Sequence, residues 1–200
     1  DDAILWANKG LELKPENEDL LLNKIIARLG KKNYKEAIHD CDSLLLINPQ
    51  NIRAMNQKGI ALNHLKRYDE AILLYTKLIE LEPQNEQAFY NRGISNAYNK
   101  DFNAAQKDMD RAMAIDTAQL EVGYNNIGFF IKFEQKDYAG AIELFNQAIK
   151  LNPKFSYAYN NRGFAKMKIK DYKGARQDIN KSLDLEGNNA YAFKNLALLY

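Results

Sequence analysis

The stretch IRAMNQKGIALNHLKRYDEAILLYTKLIELEPQN, residues 52–85, decides the fold because its landmarks return along the chain every 34 positions. Pro15, Pro49 and Pro83 are evenly spaced, each 34 positions after the one before. Further steps of 34, 36 and 34 lead to Thr117, Pro153 and Gly187. A nearly constant period of this length is typical of structural units that stack on one another.

Three more columns keep the same step. An alanine recurs at Ala37, Ala71, Ala105, Ala141 and Ala175, and an aromatic residue stands three residues before each, at Tyr34, Tyr68, Phe102, Tyr138 and Tyr172. A glycine recurs at Gly59, Gly93, Gly128 and Gly163, with Ile25 and Ala197 in the same column. Small residues let two helices approach closely, so these columns predict helix contacts rather than phosphate-binding loops.

Each unit is predicted to contain two helices joined by a short turn. Short polar side chains stand where a helix needs an N-cap, at Asn17, Asn51, Asn85 and Asn189 before the first helices and at Asp101, Asp137 and Asp171 before second helices. The proline marker ends the second helix, because proline cannot continue it.

The columns YNNRG, DYxxA and LxP resemble the tetratricopeptide repeat family over essentially the whole chain. The resemblance implies an all-α, right-handed superhelix of antiparallel helix pairs, with about 12 helices and with the first helices lining a concave groove. It divides the chain into a lone second helix at 1–17, full repeats at 18–51, 52–85, 86–119, 120–155 and 156–189, and a lone first helix at 190–200.

The repeat 120–155 is two residues longer than the others. One extra residue lies between Gly128 and the Asp-Tyr turn, and the other lies between Thr117 and Tyr124. We expect a locally lengthened connection there, together with a change in the pitch of the superhelix.

Composition narrows the possible partners and compartments. The formal net charge is only +2, which gives no strong field toward nucleic acid or an anionic membrane. The apolar runs are too short for a membrane span, so we predict no membrane insertion. A single cysteine, Cys41, permits no intrachain disulfide; this fits a reducing compartment such as the cytoplasm and is also compatible with the periplasm or secretion.

The sequence contains no HExxH, CxxC, GxSxG, GxGxxG or Walker-type motif. We interpret Cys41 as a buried structural thiol, because Tyr75 and other core residues share its column. Asp40 and Asp42 are interpreted as a solvated helix face, and the basic cluster Lys166, Lys168, Lys170 and Lys173 as a solvated helix end. We therefore predict a non-enzymatic protein without cofactor or metal.

A carboxamide stands two residues before the glycine column in all six copies, at Asn23, Gln57, Asn91, Asn126, Asn161 and Asn195. A carboxamide has donors and an acceptor, as required to bind an extended peptide backbone. The column resembles the asparagine ladder of the repeat superhelix in O-linked N-acetylglucosamine transferases. The alternative is that these amides bond only to neighbouring repeats or to water.

Further groove candidates stand beside this column, at Tyr90, Asn125, Asn160, Tyr157 and Tyr191. Some family members clamp a chaperone's C-terminal carboxylate with basic residues on two first helices. Here Val122 and Tyr191 stand where such basic residues are required, so we expect no such clamp.

The leading functional hypothesis is a scaffold that binds an extended peptide or partner segment in the groove. One alternative is a regulatory or targeting segment of a larger enzyme or transcription regulator. Another is a structural assembly factor that forms homo-oligomers through uncapped terminal helices, because apolar residues such as Leu196 and Leu199 are left without a following helix.

Overall fold

The computed structural model describes residues 2–199; Asp1 and Tyr200, the outermost residues of the predicted partial repeats, lie outside the described residues. Twelve α-helices and no strand occur in this range, which confirms the predicted all-α class. They are α1 (Asp2–Leu13), α2 (Glu18–Gly30), α3 (Tyr34–Ile47), α4 (Ile52–His64), α5 (Tyr68–Leu81), α6 (Glu86–Tyr98), α7 (Phe102–Ile115), α8 (Leu120–Asn126), α9 (Tyr138–Leu151), α10 (Ser156–Lys168), α11 (Tyr172–Leu185) and α12 (Ala190–Ala197).

The helices group into two compact units, Asp1–Lys100 and Asp101–Tyr200. In unit 1, helices α1 to α6 each pack on the next in chain order. In unit 2, the same holds from α7 to α12. No helix within residues 2–199 combines the length and the apolar character needed to cross a membrane.

The predicted N-caps are confirmed. The Asn51 Oδ1 atom accepts a hydrogen bond from the Ala54 backbone N–H at 2.9 Å, and Asp171 Oδ1 accepts one from Gly174 N at 2.9 Å. Equivalent caps are made by Asn17, Asn85, Asn189, Asp101 and Asp137. Each side chain satisfies a backbone donor that the first turn of a helix leaves without a partner.

The turn between the two helices of each repeat has an unexpected conformation. Its central residue has φ between 60° and 67° in all five copies, and that residue is a lysine each time: Lys32, Lys66, Lys100, Lys136 and Lys170. None of the glycines has a positive φ. The left-handed conformation costs a residue with a Cβ atom about 1–2 kcal/mol, so every turn carries a lysine where glycine would be less strained.

The small-residue columns are sites of close helix contact, as predicted. The ring of Tyr75 on α5 occupies the space that a Cβ atom would need at Gly59 on α4. Tyr75 and Ala71 are fully buried, with Met55 and Leu62 in the same core cluster. A side chain larger than glycine would therefore separate the two helices of the repeat.

The expected lengthening of a connection in the fourth repeat is wrong. The extra residue after Gly128 is absorbed inside a helix, because α8 continues directly into a π-helical segment, Ile127–Phe133. A π turn contains one residue more than an α turn. The following turn keeps the geometry of the other repeats, with φ 62° at Lys136.

The other extra residue of this repeat lies at the start of α8. Glu121 accepts a bond from Asn152 Nδ2 at 3.3 Å, as Glu18 does from Asn48 Nδ2 at 3.2 Å in the first repeat. Glu121 is therefore the counterpart of Glu18, and the extra residue precedes it. Gln119 makes no side-chain cap there, unlike the asparagines that begin other first helices.

Replacement of Gly163 by alanine should destabilise the protein. The new Cβ atom would lie 2.8 Å from Ile179 Cγ1 and 3.1 Å from the Ala175 carbonyl oxygen, and a backbone atom cannot rotate away. We expect Gly163→Ala to lower the free energy of unfolding by about 1–3 kcal/mol, measured by urea denaturation. Gly30→Ala is the matched control, because nothing lies within 4 Å of its Cβ atom, and it should be neutral or stabilising by up to about 1 kcal/mol. Equal effects of both substitutions would contradict the contact.

Candidate functional site

The first helices of successive repeats lie against one another within each unit. In unit 1, α4 contacts both α2 and α6; in unit 2, α10 contacts both α8 and α12. Residues of one column on neighbouring first helices can therefore interact directly. We call this surface the first-helix face of each unit, and it carries the predicted carboxamide column.

In unit 2, four asparagine side chains form a continuous chain of hydrogen bonds across three first helices. Asn195 Nδ2 on α12 donates to Asn160 Oδ1 at 2.9 Å, and Asn160 Nδ2 donates to Asn161 Oδ1 at 3.4 Å. Asn161 Nδ2 in turn donates to Asn125 Oδ1 on α8 at 2.9 Å. We call this arrangement the amide chain.

Unit 1 contains one link of the same kind. Asn91 Nδ2 on α6 donates to Asn56 Oδ1 on α4 at 2.8 Å, and Asn91 Oδ1 accepts from Gln87 Nε2 at 3.2 Å. Gln57, in the carboxamide column of the preceding repeat, has no side-chain hydrogen bond among the described residues. The residue 35 positions before Gln57, where Asn56 stands relative to Asn91, is Leu22, which cannot accept a hydrogen bond through its side chain. The link thus forms where an asparagine occupies that position.

The spacing of this link is visible in the sequence. Asn56 and Asn91 are 35 residues apart, as are Asn160 and Asn195, while Asn125 and Asn161 are 36 apart. Each of these carboxamides bonds to the residue just before its counterpart in the preceding repeat, and the third separation is one residue longer because the fourth repeat has an extra residue after Gly128. Bonds between neighbouring repeats, one of the two alternatives considered for the column, are therefore present.

The predicted site residues differ widely in exposure. Tyr90, Asn125, Asn160 and Asn195 are buried; Gln57, Asn91, Asn126 and Asn161 are half-buried; Asn23, Tyr157 and Tyr191 are exposed. Tyr157 on α10 and Tyr191 on α12 expose 42% and 66% of their surface and occupy equivalent places in successive repeats. A ligand can therefore reach the two tyrosines directly.

Unit 2 also carries a cluster of aromatic rings, which joins α10 to the π-helical segment. The rings of Phe129 and Phe133 stack with centroids 5.9 Å apart, and Phe133 stacks on Phe164 of α10 at 5.0 Å. Lys168 Nζ lies 4.9 Å from the Phe164 ring centroid. Phe133 belongs to the π-helical segment, so this segment contributes to the stack.

The carboxylate of Asp40 corrects the expectation that Asp40 and Asp42 form a solvated helix face. Asp40 is only 4% exposed and pairs with Lys24 at 3.3 Å and Arg28 at 2.9 Å. Asp42, by contrast, is half exposed and pairs with Lys58 at 2.6 Å. Asp40 therefore ties its own helix α3 to the preceding α2 instead of facing water, because a buried carboxylate needs partners.

The same arrangement recurs in the last full repeat. Arg162 binds both oxygens of Asp178, at 2.6 and 2.8 Å, and Lys166 lies 2.8 Å from the same carboxylate. Lys166 is thus an ion-pair partner and not part of a solvated helix end, while Lys168, Lys170 and Lys173 are exposed. The sequence signal was a basic residue at i and i+4 with an aspartate at i+16, shared by Lys24, Arg28 and Asp40.

Cys41 is buried, as predicted. Burial, followed by the nearby carboxylates of Asp42 and Asp40, raises the pKa of the thiol to about 12. His39, two residues earlier, is exposed. Across residues 2–199, no group of three or more His, Cys, Asp or Glu side chains is arranged to hold a metal ion.

Family models match separate parts of the chain. A model described as Tetratricopeptide repeat matches residues 52–85 and 156–189, and a model described as TPR repeat matches residues 131–170. A sequence comparison with curated proteins finds no match.

Solved structures share the fold at low sequence identity. A chain of the Cut9–Hcn1 hetero-tetramer of the APC/C has a TM-score of 0.78 at 23% identity; the alignment covers 100% of this chain and 39% of that one. A tetratricopeptide repeat protein from Parabacteroides merdae has a TM-score of 0.79 at 18% identity, with coverages of 96% and 76%. YrrB, a repeat protein with an unusual peptide-binding site, has a TM-score of 0.59 at 17% identity, with coverages of 96% and 97%.

Replacement of Asn160 should destabilise unit 2. Asn160→Ala removes two links of the amide chain and leaves the buried Asn195 amide without its acceptor. A buried amide without a partner costs about 1–3 kcal/mol, so we expect a loss of that size in urea denaturation. Asn23→Ala, at an exposed amide without a hydrogen bond among the described residues, should change stability by less than about 0.5 kcal/mol. An Asn160→Ala protein as stable as the Asn23→Ala control would count against the amide chain.

Cys41 should be unreactive in the folded protein. Its raised pKa keeps the buried thiol protonated at pH 8, and only the thiolate reacts with alkylating reagents. We expect iodoacetamide labelling, followed by intact mass, to be at least about a hundredfold slower in buffer than in 6 M guanidinium chloride. Equal labelling rates would show that the thiol is accessible in the native state.

Proposed function

We propose that this chain, a tetratricopeptide repeat protein, is a non-enzymatic interaction scaffold that binds an extended segment of a partner protein along its first-helix faces. The observation that carries the proposal is the alignment of amide side chains on adjacent first helices, with exposed tyrosines beside them. Tetratricopeptide repeat proteins are generally non-catalytic scaffolds, and YrrB, which shares the fold, has a peptide-binding site.

The bond between repeats leaves part of the Asn91 amide available to a ligand. A carboxamide offers two N–H donors and two acceptor positions. Asn91 uses one donor toward Asn56 and one acceptor position toward Gln87, so one of each remains. The two interpretations of the carboxamide column are therefore compatible, because the link between repeats can orient the remaining groups toward a peptide backbone.

The predicted contact residues then separate into two roles. The buried Asn125, Asn160 and Asn195 hold and orient the amide chain of unit 2. Tyr90, in unit 1, is also buried. Gln57, Asn91, Asn126, Asn161 and exposed Asn23 offer amides to the ligand. Tyr157 and Tyr191 would contact side chains of the ligand, since an exposed tyrosine provides both apolar area and a polar end.

The expected affinity is modest. Each peptide–amide hydrogen bond contributes about 1 kcal/mol net, and two aromatic contacts add a few more, against the cost of ordering a flexible peptide. A Kd in the micromolar range, about −8 kcal/mol, follows.

Removal of both exposed tyrosines should weaken peptide binding without unfolding the protein. We would select ligands from a library of unstructured, fluorescently labelled 12-residue peptides and measure Kd by anisotropy. Tyr157→Ala combined with Tyr191→Ala should raise Kd at least about tenfold, since each loses an aromatic contact of about 1 kcal/mol or more. Both side chains are exposed, so the melting temperature should change little.

Leu73→Ala is the control for this experiment. Leu73 is 71% exposed and lies within a second helix, α5. Its replacement should leave Kd unchanged. An equal loss in both proteins, or no peptide binding at all, would remove the proposal.

A further inference from the structure

We infer that a cleft in unit 1 binds a peptide segment in which an acidic side chain, Asp or Glu, neighbours an apolar one. The cleft has a volume of about 390 Å³, and it is lined by α4, the turn after α4, the first residue of α5, and α6. We call it the Lys66 cleft. This inference rests on the proposed function and names the chemistry of the segment bound there.

The cleft combines three kinds of group that such a segment needs. Ile60 and Ile94 provide apolar surface, and Asn91 provides an amide. Lys66 provides a positive charge, with His64 beside it. None of the residues that line the cleft is an aspartate or a glutamate.

The charge of Lys66 is not neutralised by its surroundings. Lys66 is exposed and has no ion pair among the described residues. The two carboxylates that follow in the sequence are engaged elsewhere: Asp69 accepts a bond from Asn99 Nδ2 at 2.9 Å, and Glu70 accepts two from Arg67, at 2.6 and 2.7 Å. An incoming carboxylate can therefore bind the ammonium group without displacing an internal partner.

Aromatic rings form a rigid wall of the cleft. Tyr68 and Tyr98, both lining residues, stack with ring centroids 5.4 Å apart. His64 stacks on Tyr34 at 4.4 Å, nearly parallel at 10°. These contacts fix the shape of the cleft before a ligand arrives, which reduces the ordering cost of binding. An apolar side chain would lie against this wall while the adjacent carboxylate reaches Lys66.

A protein segment fits these features better than a nucleic acid. The net charge of +2 provides no extended field for a phosphate backbone, and the cleft holds a single lysine. A peptide, in contrast, can supply an apolar side chain, backbone amides and a carboxylate within a few residues. We assign the carboxylate to an internal side chain, because Val122 and Tyr191 stand where a clamp for a C-terminal carboxylate requires basic residues.

The test compares paired peptides on the intact protein. Each library peptide that binds is resynthesised with an amidated C-terminus, once with Glu and once with Gln at each acidic position. We expect the Glu form to bind about fivefold more tightly, and the preference to shrink at high salt. Lys66→Gly should abolish the preference, and Lys66→Arg should retain it.

Lys66→Gly is suited to this test because glycine relieves the strained turn. The variant should therefore melt at the same temperature as the parent or higher, which separates loss of binding from loss of folding. Lys170→Gly, with φ 66° in unit 2, is the matched control and should keep the Glu preference.

The possible outcomes separate this inference from the proposed function. Peptides that bind with no preference for Glu over Gln, or that require a free C-terminal carboxylate, would overturn the inference and leave the scaffold role intact. Equal loss of the preference in Lys66→Gly and Lys170→Gly would also overturn it. Failure of every peptide to bind would overturn both proposals.

Discussion

Close contact between the two helices of each repeat is the constraint on which the structure depends. The space beside Gly59 is filled by the Tyr75 ring, and Ala71 on the same second helix is fully buried. Because each repeat has only two helices, no other layer can compensate for a poor fit between them. The recurrence of small and aromatic residues every 34 positions follows from this geometry.

Polar links between helices supplement this apolar packing. The amide chain crosses three first helices of unit 2, and the Arg162–Asp178 pair joins α10 to α11. Such bonds have defined distances and directions, whereas apolar contacts tolerate sliding, so the polar links specify the register of neighbouring helices. The fourth repeat lacks the ion pair, since Ile127 and Leu144 occupy the equivalent places.

The proposed ligand-binding residues include some that also link neighbouring repeats. Asn91 bonds to the neighbouring repeat and also lines the Lys66 cleft, so the same residue serves the fold and is available to a ligand. Tyr157 and Tyr191 project from first helices in which the next residue, Ala158 or Ala192, is fully buried. Rigid support of this kind allows a repeat protein to present contact groups at fixed intervals without a deep pocket.

The sequence by itself determined the helices, their caps and the contact columns, because each depends on local chemistry repeated at a constant step: Asn51 and Asp171 cap where predicted, and Cys41 is buried. Only the tertiary structure decided what the carboxamides bond to, since Asn91 and Asn56 are neighbours through the packing of α6 on α4. The tertiary structure also decided the burial of Asp40, which depends on its partners Lys24 and Arg28 on the preceding helix. It decided the π-helical segment as well, because the extra residue could equally have lengthened a turn. Interactions between helices depend on distances in space, and the repeat period alone does not specify which side chains meet there.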